Sequence, residues 1–225
     1  MSEIKGQSPP LRVNPQPTPR IGKSERTRAA ILNAGLEFVW SHPYREMTVN
    51  ALMTSAGLSR SAFYQYFKDL HELMETLLNM LEDEIFATTG SWFTGVGDPT
   101  VLLNESLAGL VDVCYRLGPI LRTTDDAAAN DETLEKAWTL FVTDFDDATT
   151  VRIEADQAQD LIANFDARPV AIALNRLNIY TLIQAFGQQP RSDPETVHRA
   201  LARVWISTLY GAEWLEKSAS NLSRR

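Results

Sequence analysis

The chain has 225 residues, 44% of them apolar, with a net charge of −8 and one cysteine. That is enough apolar material for one large or two small globular domains, while the lone Cys114 excludes an internal disulfide and fits a reducing compartment. No apolar run reaches the ~18 residues of a membrane span and the N-terminus lacks the apolar stretch of a secretory signal, so a cytoplasmic protein with no membrane partner is expected.

The charge is unevenly divided. Residues 1–72 hold nine Lys/Arg and six Asp/Glu, a net +3, whereas residues 73–225 hold twelve and twenty-three, a net −11. A basic first third on an acidic body points to an anionic partner for that third alone; chance asymmetry is the competing reading. Residues 1–23 contain five prolines and two glycines, too little apolar material to pack, and Lys5, Arg12, Arg20 and Lys23 against Glu3. This is read as a disordered basic arm, either laid along a phosphate backbone or an inert tail.

From Ser24, a suitable N-cap, an apolar stripe of Ala30, Ile31, Ala34, Leu36, Phe38 and Val39 predicts a first helix, stopped at Ser41-His42-Pro43. Thr48 opens a second helix with Val49, Leu52 and Met53 inward; Gly57 ends it after barely two turns. Ser59 caps a third helix over residues 60 to about 66, and a fourth runs from near Asp69 to about Phe86. A glycine-rich break over residues 90–97 follows, then helical segments near 99–117, 119–123, 131–156, 168–186 and 193–216. Gly187 to Pro190 marks the turn between the last two. Period-two alternation is rare and no internal repeat is present, so the fold class is all-α. The expected units are an arm (1–23), a small three-helix domain (24–68) and a larger helical domain (69–225).

Two short helices joined at Ala56-Gly57-Leu58 have the spacing of a helix-turn-helix. The turn needs a left-handed residue, which Gly57 supplies; Ala56 lets the helices approach, and Leu52, Leu58 and Phe63 fill the shared core. The third helix presents Arg60, Ser61, Ala62, Tyr64 and Gln65 for a major groove, where Arg pairs with guanine and Gln with adenine. Thr48, Ser59, Tyr64 and Tyr66 are candidates for phosphate contacts. A structural helical hairpin with no DNA is the alternative, disfavoured by the basic first third.

The run T-V-x-x-L-x-x-x-A-G-L-S-R-S-A-F-Y-Q-Y-F-K, from Thr48 to Lys68, resembles the DNA-binding motif of TetR-family transcriptional regulators. The resemblance implies a three-helix DNA-binding head and a helical body that binds a small molecule and dimerises. It covers roughly residues 24–216 and leaves the arm outside. Family members often carry a lysine where this chain has Leu70; Lys68, two positions earlier, stands in for it as a phosphate contact. In the body, Ala173-Leu174-Asn175-Arg176-Leu177-Asn178, Thr181-Leu182, Phe186-Gly187 and the run from Val204 to Gly211 resemble the EthR-like subfamily of ethionamide-resistance regulators, as does Trp138-x-x-Phe141. That resemblance implies an apolar, aromatic-lined tunnel with asparagines that hydrogen-bond a ligand.

Asn175 and Asn178 are three apart and share a helix face among apolar neighbours. By composition they read as satisfied core or dimer-face groups; the resemblance assigns one of them to a ligand. Trp92, Phe93, Trp138, Phe141, Phe145, Tyr180, Phe186 and Trp205 are the aromatic candidates for a pocket lining, with plain core as the alternative for each. The stripe Leu201, Val204, Trp205, Thr208, Leu209, Ala212 and Leu215, paired with residues 168–186, suits an isologous four-helix interface between two subunits or intrachain packing.

His42, His71 and His198 share no metal-ligand spacing, and no nucleophile or phosphate-loop motif is present. The aspartates at 125, 126, 144, 146 and 147 read as solvated faces. The expectation is therefore no enzyme, no metal and no cofactor. The reading is a homodimeric, ligand-responsive regulator, most simply a repressor, bound to a pseudo-palindromic operator and released by a hydrophobic effector. The alternative is a lipophile carrier whose head no longer binds DNA.

Overall fold

The computed structural model describes residues 22–95 and 97–211. Among these it contains eight α-helices and no strand: α1 (Lys23–Ser41), α2 (Val49–Ser55), α3 (Arg60–Phe63), α4 (Leu70–Thr94), α5 (Pro99–Ala128), α6 (Glu132–Ala158), α7 (Ala167–Phe186) and α8 (Pro194–Tyr210). The expected arm up to residue 21, Val96, and the end of the last helix with Ala212 and Leu215 lie outside the described residues.

Capping chemistry sets most helix starts. The side chains of Asp69, Asp98, Asp131 and Asp193 accept backbone N–H groups at the first turns of α4, α5, α6 and α8. Such caps contribute about 0.5–2 kcal/mol each where they replace a residue that cannot accept. Proline at the first position of α5 and α8 is preset for helix. At α1 the expectation was off by two residues: Gly22 is the N-cap and Ser24 lies inside the first turn. The Glu25 carboxylate accepts the Gly22 N–H at 3.0 Å.

Three further boundaries differ from the sequence reading. The third helix is α-helical only over Arg60–Phe63 and continues as turns to Tyr66. The fourth helix runs through Gly90 to Thr94, since Ile85, Thr89 and Trp92 keep burying one side chain per turn. The segments on either side of Pro119 form one helix, α5. Proline cannot donate to the carbonyl four residues back, so Tyr115 O is left without its helical partner; Arg191 Nη1 donates to that oxygen at 2.6 Å.

Helix α5 is central, packing against α1, α4, α6, α7 and α8. One continuous core runs from Ile31 and Phe63 in the N-terminal bundle to Trp205 and Leu209 in α8. The bundle is seated closely on α4: a Cβ at Gly35 would lie 3.3 Å from both Leu73 Cδ2 and Leu77 Cδ1. In the body α5 comes close to the end of α7 at Gly118, where an added Cβ would lie 2.6 Å from Phe186 O.

Candidate functional site

The turn between α2 and α3 is a full Schellman closure. Leu58 N–H donates to Met53 O at 2.9 Å and Gly57 N–H to Thr54 O at 3.2 Å, with Gly57 at φ +66°. Thr48 and Ser59 are the N-caps of α2 and α3, accepting from Ala51 N–H at 3.1 Å and Ala62 N–H at 3.3 Å. Phe63 and Phe67 are buried 5.6 Å apart and anchor α3 from beneath. Fully burying a phenylalanine contributes about 1.5–3 kcal/mol.

The other face of this motif is open. Thr48, Ser59, Arg60, Ser61, Tyr64, Gln65 and Lys68 are exposed; Ala62 and Tyr66 are half-buried. The Arg60 guanidinium sits 5.8 Å from the centre of the Tyr64 ring and donates to its hydroxyl at 3.3 Å. The Ser59 and Ser61 hydroxyls are 2.9 Å apart. The Lys68 backbone N–H donates to the Glu72 carboxylate, leaving its ammonium unused by that contact. Leu70 is half-buried against the core, so it presents no polar group there. Arg28 of α1 lies 5.3 Å over the Phe67 ring; nothing in the local motif pointed to it.

The second feature is a cavity bounded by α4, α5, α6, α7 and α8, with about 70 Å³ of free volume. Seven of the ten residues singled out in the sequence line it: Trp92, Phe93, Phe141, Phe145, Asn175, Asn178 and Trp205. Trp138, Tyr180 and Phe186 do not. Trp138 stacks behind Phe141 at 5.4 Å, Tyr180 points outward with 69% of its surface exposed, and Phe186 is buried against Tyr115. A helix face repeats every 3.6 residues, so Tyr180, two beyond Asn178, falls on the opposite side. The sequence reading missed the hydroxyls of Thr89, Ser106 and Thr149 and the α5 stripe through Leu103, Leu107, Cys114 and Leu121. The stripe was legible as period; that it faces a cavity was not. Burial pushes the Cys114 thiol up to about 12, so it is a neutral wall group.

The polar groups of the lining are tied from behind. Asn175 Nδ2 donates to Asp146 Oδ1 at 3.0 Å and to Thr149 Oγ1 at 3.3 Å, and Arg176 donates to both oxygens of the buried Asp146. Trp205 Nε1 donates to Asn178 Oδ1 at 2.8 Å. At one end, Trp92 Nε1 donates to the Tyr210 hydroxyl, Tyr210 donates to Asp156, and Arg152 pairs with Asp156 at 2.9 Å while donating to Trp92 O. Burial and the adjacent Asp156 carboxylate raise the Tyr210 phenol well above its ordinary value, so it stays a donor. No charged side chain lines the cavity among the described residues.

An exposed helix-turn-helix face on a small bundle, backed by a helical body with a largely apolar cavity, defines a helix-turn-helix transcriptional regulator. Two family models match in sequence: "Bacterial regulatory proteins, tetR family" over residues 31–77 and "Transcriptional regulator EthR, C-terminal domain" over residues 103–211. The chain belongs to the TetR family. It is similar to the HTH-type transcriptional regulator EthR of Mycolicibacterium smegmatis, 26% identical over 209 residues, covering 86% of this chain and 93% of that protein. EthR of Mycobacterium tuberculosis is 25% identical over 187 residues, covering 81% and 86%. Among solved structures, a putative TetR-family regulator from Syntrophomonas wolfei shares the fold at TM-score 0.71 and 13% identity, covering 83% of this chain and 96% of that one. The SmeT–triclosan complex does so at 0.70 and 18%, covering 82% and 92%. AibR with isovaleryl coenzyme A and operator DNA does so at 0.63 and 13%, covering 82% and 98%. No helix among the described residues is long and apolar enough to cross a membrane.

Proposed function

We propose that the protein is a repressor that leaves its operator when an uncharged, hydrophobic small molecule fills the cavity. The carrying observation is the pair of asparagines in an uncharged, largely apolar wall. Asn175 has its amide NH2 engaged by Asp146 and Thr149, which leaves its carbonyl to accept; Asn178 has its carbonyl engaged by Trp205, which leaves its NH2 to donate. Three residues apart on one helix face, they offer one acceptor and one donor side by side, the complement of a secondary amide. A ligand carboxylate would find no cation in the lining, and burying an unpaired charge is costly. SmeT with triclosan and AibR with isovaleryl coenzyme A show the same fold holding small molecules.

In this reading Arg60 and Gln65 read bases, Ser61, Ala62 and Tyr64 approach the groove, and Thr48, Ser59, Tyr66 and Lys68 hold phosphates. The units are a head over residues 24–68 and a ligand-binding, dimerising body from residue 69. The outward-facing Tyr180 of α7 and Val204 of α8 leave apolar surface for a second copy. Two heads then meet half-sites near one helical turn apart, or a multiple of it.

The test is selection of duplex DNA from a randomised pool, followed by fluorescence anisotropy over a salt series with and without N-phenyl-1-naphthylamine, a neutral lipophilic probe. Expected are a specific duplex with a steep salt slope and release by the probe. Uptake of the probe without preference for any sequence would favour the carrier reading, which the apolar Leu70 at the start of α4 supports.

A further inference from the structure

Helix α5 has two working faces. Cys114 and Leu121, seven residues and two turns apart, line the cavity. Their neighbours Tyr115 and Arg122 belong to the contact with α1, the first helix of the DNA-binding bundle. Arg122 Nη2 donates to Val39 O at 2.9 Å. The Arg191 guanidinium lies 3.8 Å over the Tyr115 ring and 5.3 Å from the Trp40 ring, and donates to Tyr115 O.

Both arginines meet carbonyls that a proline has left open. The helical donor for Val39 O would be the N–H of residue 43, and for Tyr115 O that of residue 119; both are proline. Without Arg122 the buried Val39 carbonyl at the end of α1 has no such partner. Arg122 is itself confined, because a Cβ at Gly187, where α7 ends, would lie 3.0 Å from Arg122 Cβ. The contact is thus a specific joint between the bundle and the body.

We infer that Arg122 and Arg191 are positioning residues through which the cavity acts on the DNA-binding head. The chain itself ties the head to α4, and the two arginines tie the end of α1 to α5. These ties stand on different cavity walls: Ile85 and Trp92 belong to the α4 wall, Cys114 and Leu121 to the α5 wall. A ligand that favours a wider separation of those walls moves the two ties apart and turns the head against the body. A ligand acts only through such differential affinity for two arrangements. The inference rests on the ligand-responsive reading above.

The test uses the full chain, Arg122→Met, which keeps most of the stem, and Arg191→Lys, which keeps the charge without the planar stacking and guards against a variant that does not fold. Three quantities are read: affinity for N-phenyl-1-naphthylamine by its fluorescence, hydrogen exchange of residues 36–42 with and without it, and the factor by which it weakens binding to the selected duplex. In the wild type the probe should change exchange at 36–42 and weaken DNA binding by about 5–150-fold. In either variant probe affinity should hold within about twofold, while the release factor falls to about one- to twofold and the exchange change at 36–42 is lost. A variant that binds the probe and keeps the wild-type release factor and exchange change overturns the inference, as does a wild type that binds the probe with no exchange response at 36–42. An exchange response that the variants lose, in a wild type that never releases DNA, supports the joint and sinks only the repressor reading. A wild type that takes up no probe removes the ligand reading and the inference with it.

Discussion

Gly118→Ala and Gly90→Ala make a matched pair, because both replace a glycine inside a helix and only one meets a neighbour. A Cβ at residue 118 would lie 2.8 Å from Phe186 C and 2.9 Å from Phe186 Cβ, besides the 2.6 Å to Phe186 O. Carbon atoms rest at about 3.5–4.0 Å, so α5 and α7 would have to part by about 0.6–1 Å. The obstacle is mostly backbone, so no rotamer change relieves it. Overpacking of this kind costs about 1–3 kcal/mol, partly offset by about 1 kcal/mol for removing a helical glycine. Gly118→Ala should therefore lose up to about 2 kcal/mol. At residue 90 an added Cβ meets nothing within 4 Å, so Gly90→Ala should gain about 1 kcal/mol. Urea unfolding at constant m reads the difference as a shift in midpoint, and melting should separate the two by about 2–4 °C for each kcal/mol in a chain of this size. Equal stabilisation of both variants would show that α5 and α7 are not as close at this point as the packing argument requires.

Arg60→Ala should weaken binding to the selected duplex by about 1–3 kcal/mol, or about 5–150-fold, and relax preference at one base position; a uniform loss on every sequence with a shallower salt slope would make Arg60 a phosphate contact. Asn178→Leu leaves the buried Trp205 N–H without its acceptor, so stability should fall by about 1–3 kcal/mol, and response to an amide-bearing probe should change while DNA binding without probe persists. An unaltered probe response would take Asn178 out of the binding wall. The acid limb of stability should follow the helix caps. The Thr100 hydroxyl holds Asp98, and the Thr196 hydroxyl holds Asp193, below the ordinary carboxylate range; at Asp131 burial pushes upward, but the Leu134 and Thr133 N–H groups and His71 outweigh it. With folded values below the unfolded value of about 3.9, their contribution is complete above that pH and is lost as pH falls through the folded values. Asp131→Asn should keep the cap and flatten the decline below about pH 4; an unchanged decline would refute its share.

Local chemistry was legible wherever one residue decides one feature. Gly57 had to adopt a left-handed backbone, and it does; Ser59 was expected to cap the third helix, and it does. Local chemistry misled where distant groups intervene. Gly90 looked like a break and Pro119 like a stop, yet α4 continues because its apolar face keeps packing, and α5 continues because Arg191, seventy-two residues beyond Pro119 in the sequence, supplies the missing donor. Cavity membership was only partly legible for a similar reason. Aromatic character favours burial but does not decide whether a side chain faces a void, as with Trp205, solid core, as with Phe186, or solvent, as with Tyr180.

The sequence by itself determined that the fold class is all-α, that a helix-turn-helix lies at residues 48–67 with Arg60, Tyr64 and Gln65 along its third helix and the turn that continues it, and that two asparagines share one face of a late helix. Those features follow from period, capping and turn chemistry, which act over a few residues. Only the tertiary structure decided which oxygen and which NH2 of the asparagine pair are left unused, that Tyr180 faces outward, and that two arginines join the first helix to the fifth. Each depends on side chains dozens of residues apart meeting at hydrogen-bond distance, and no local pattern encodes such a meeting.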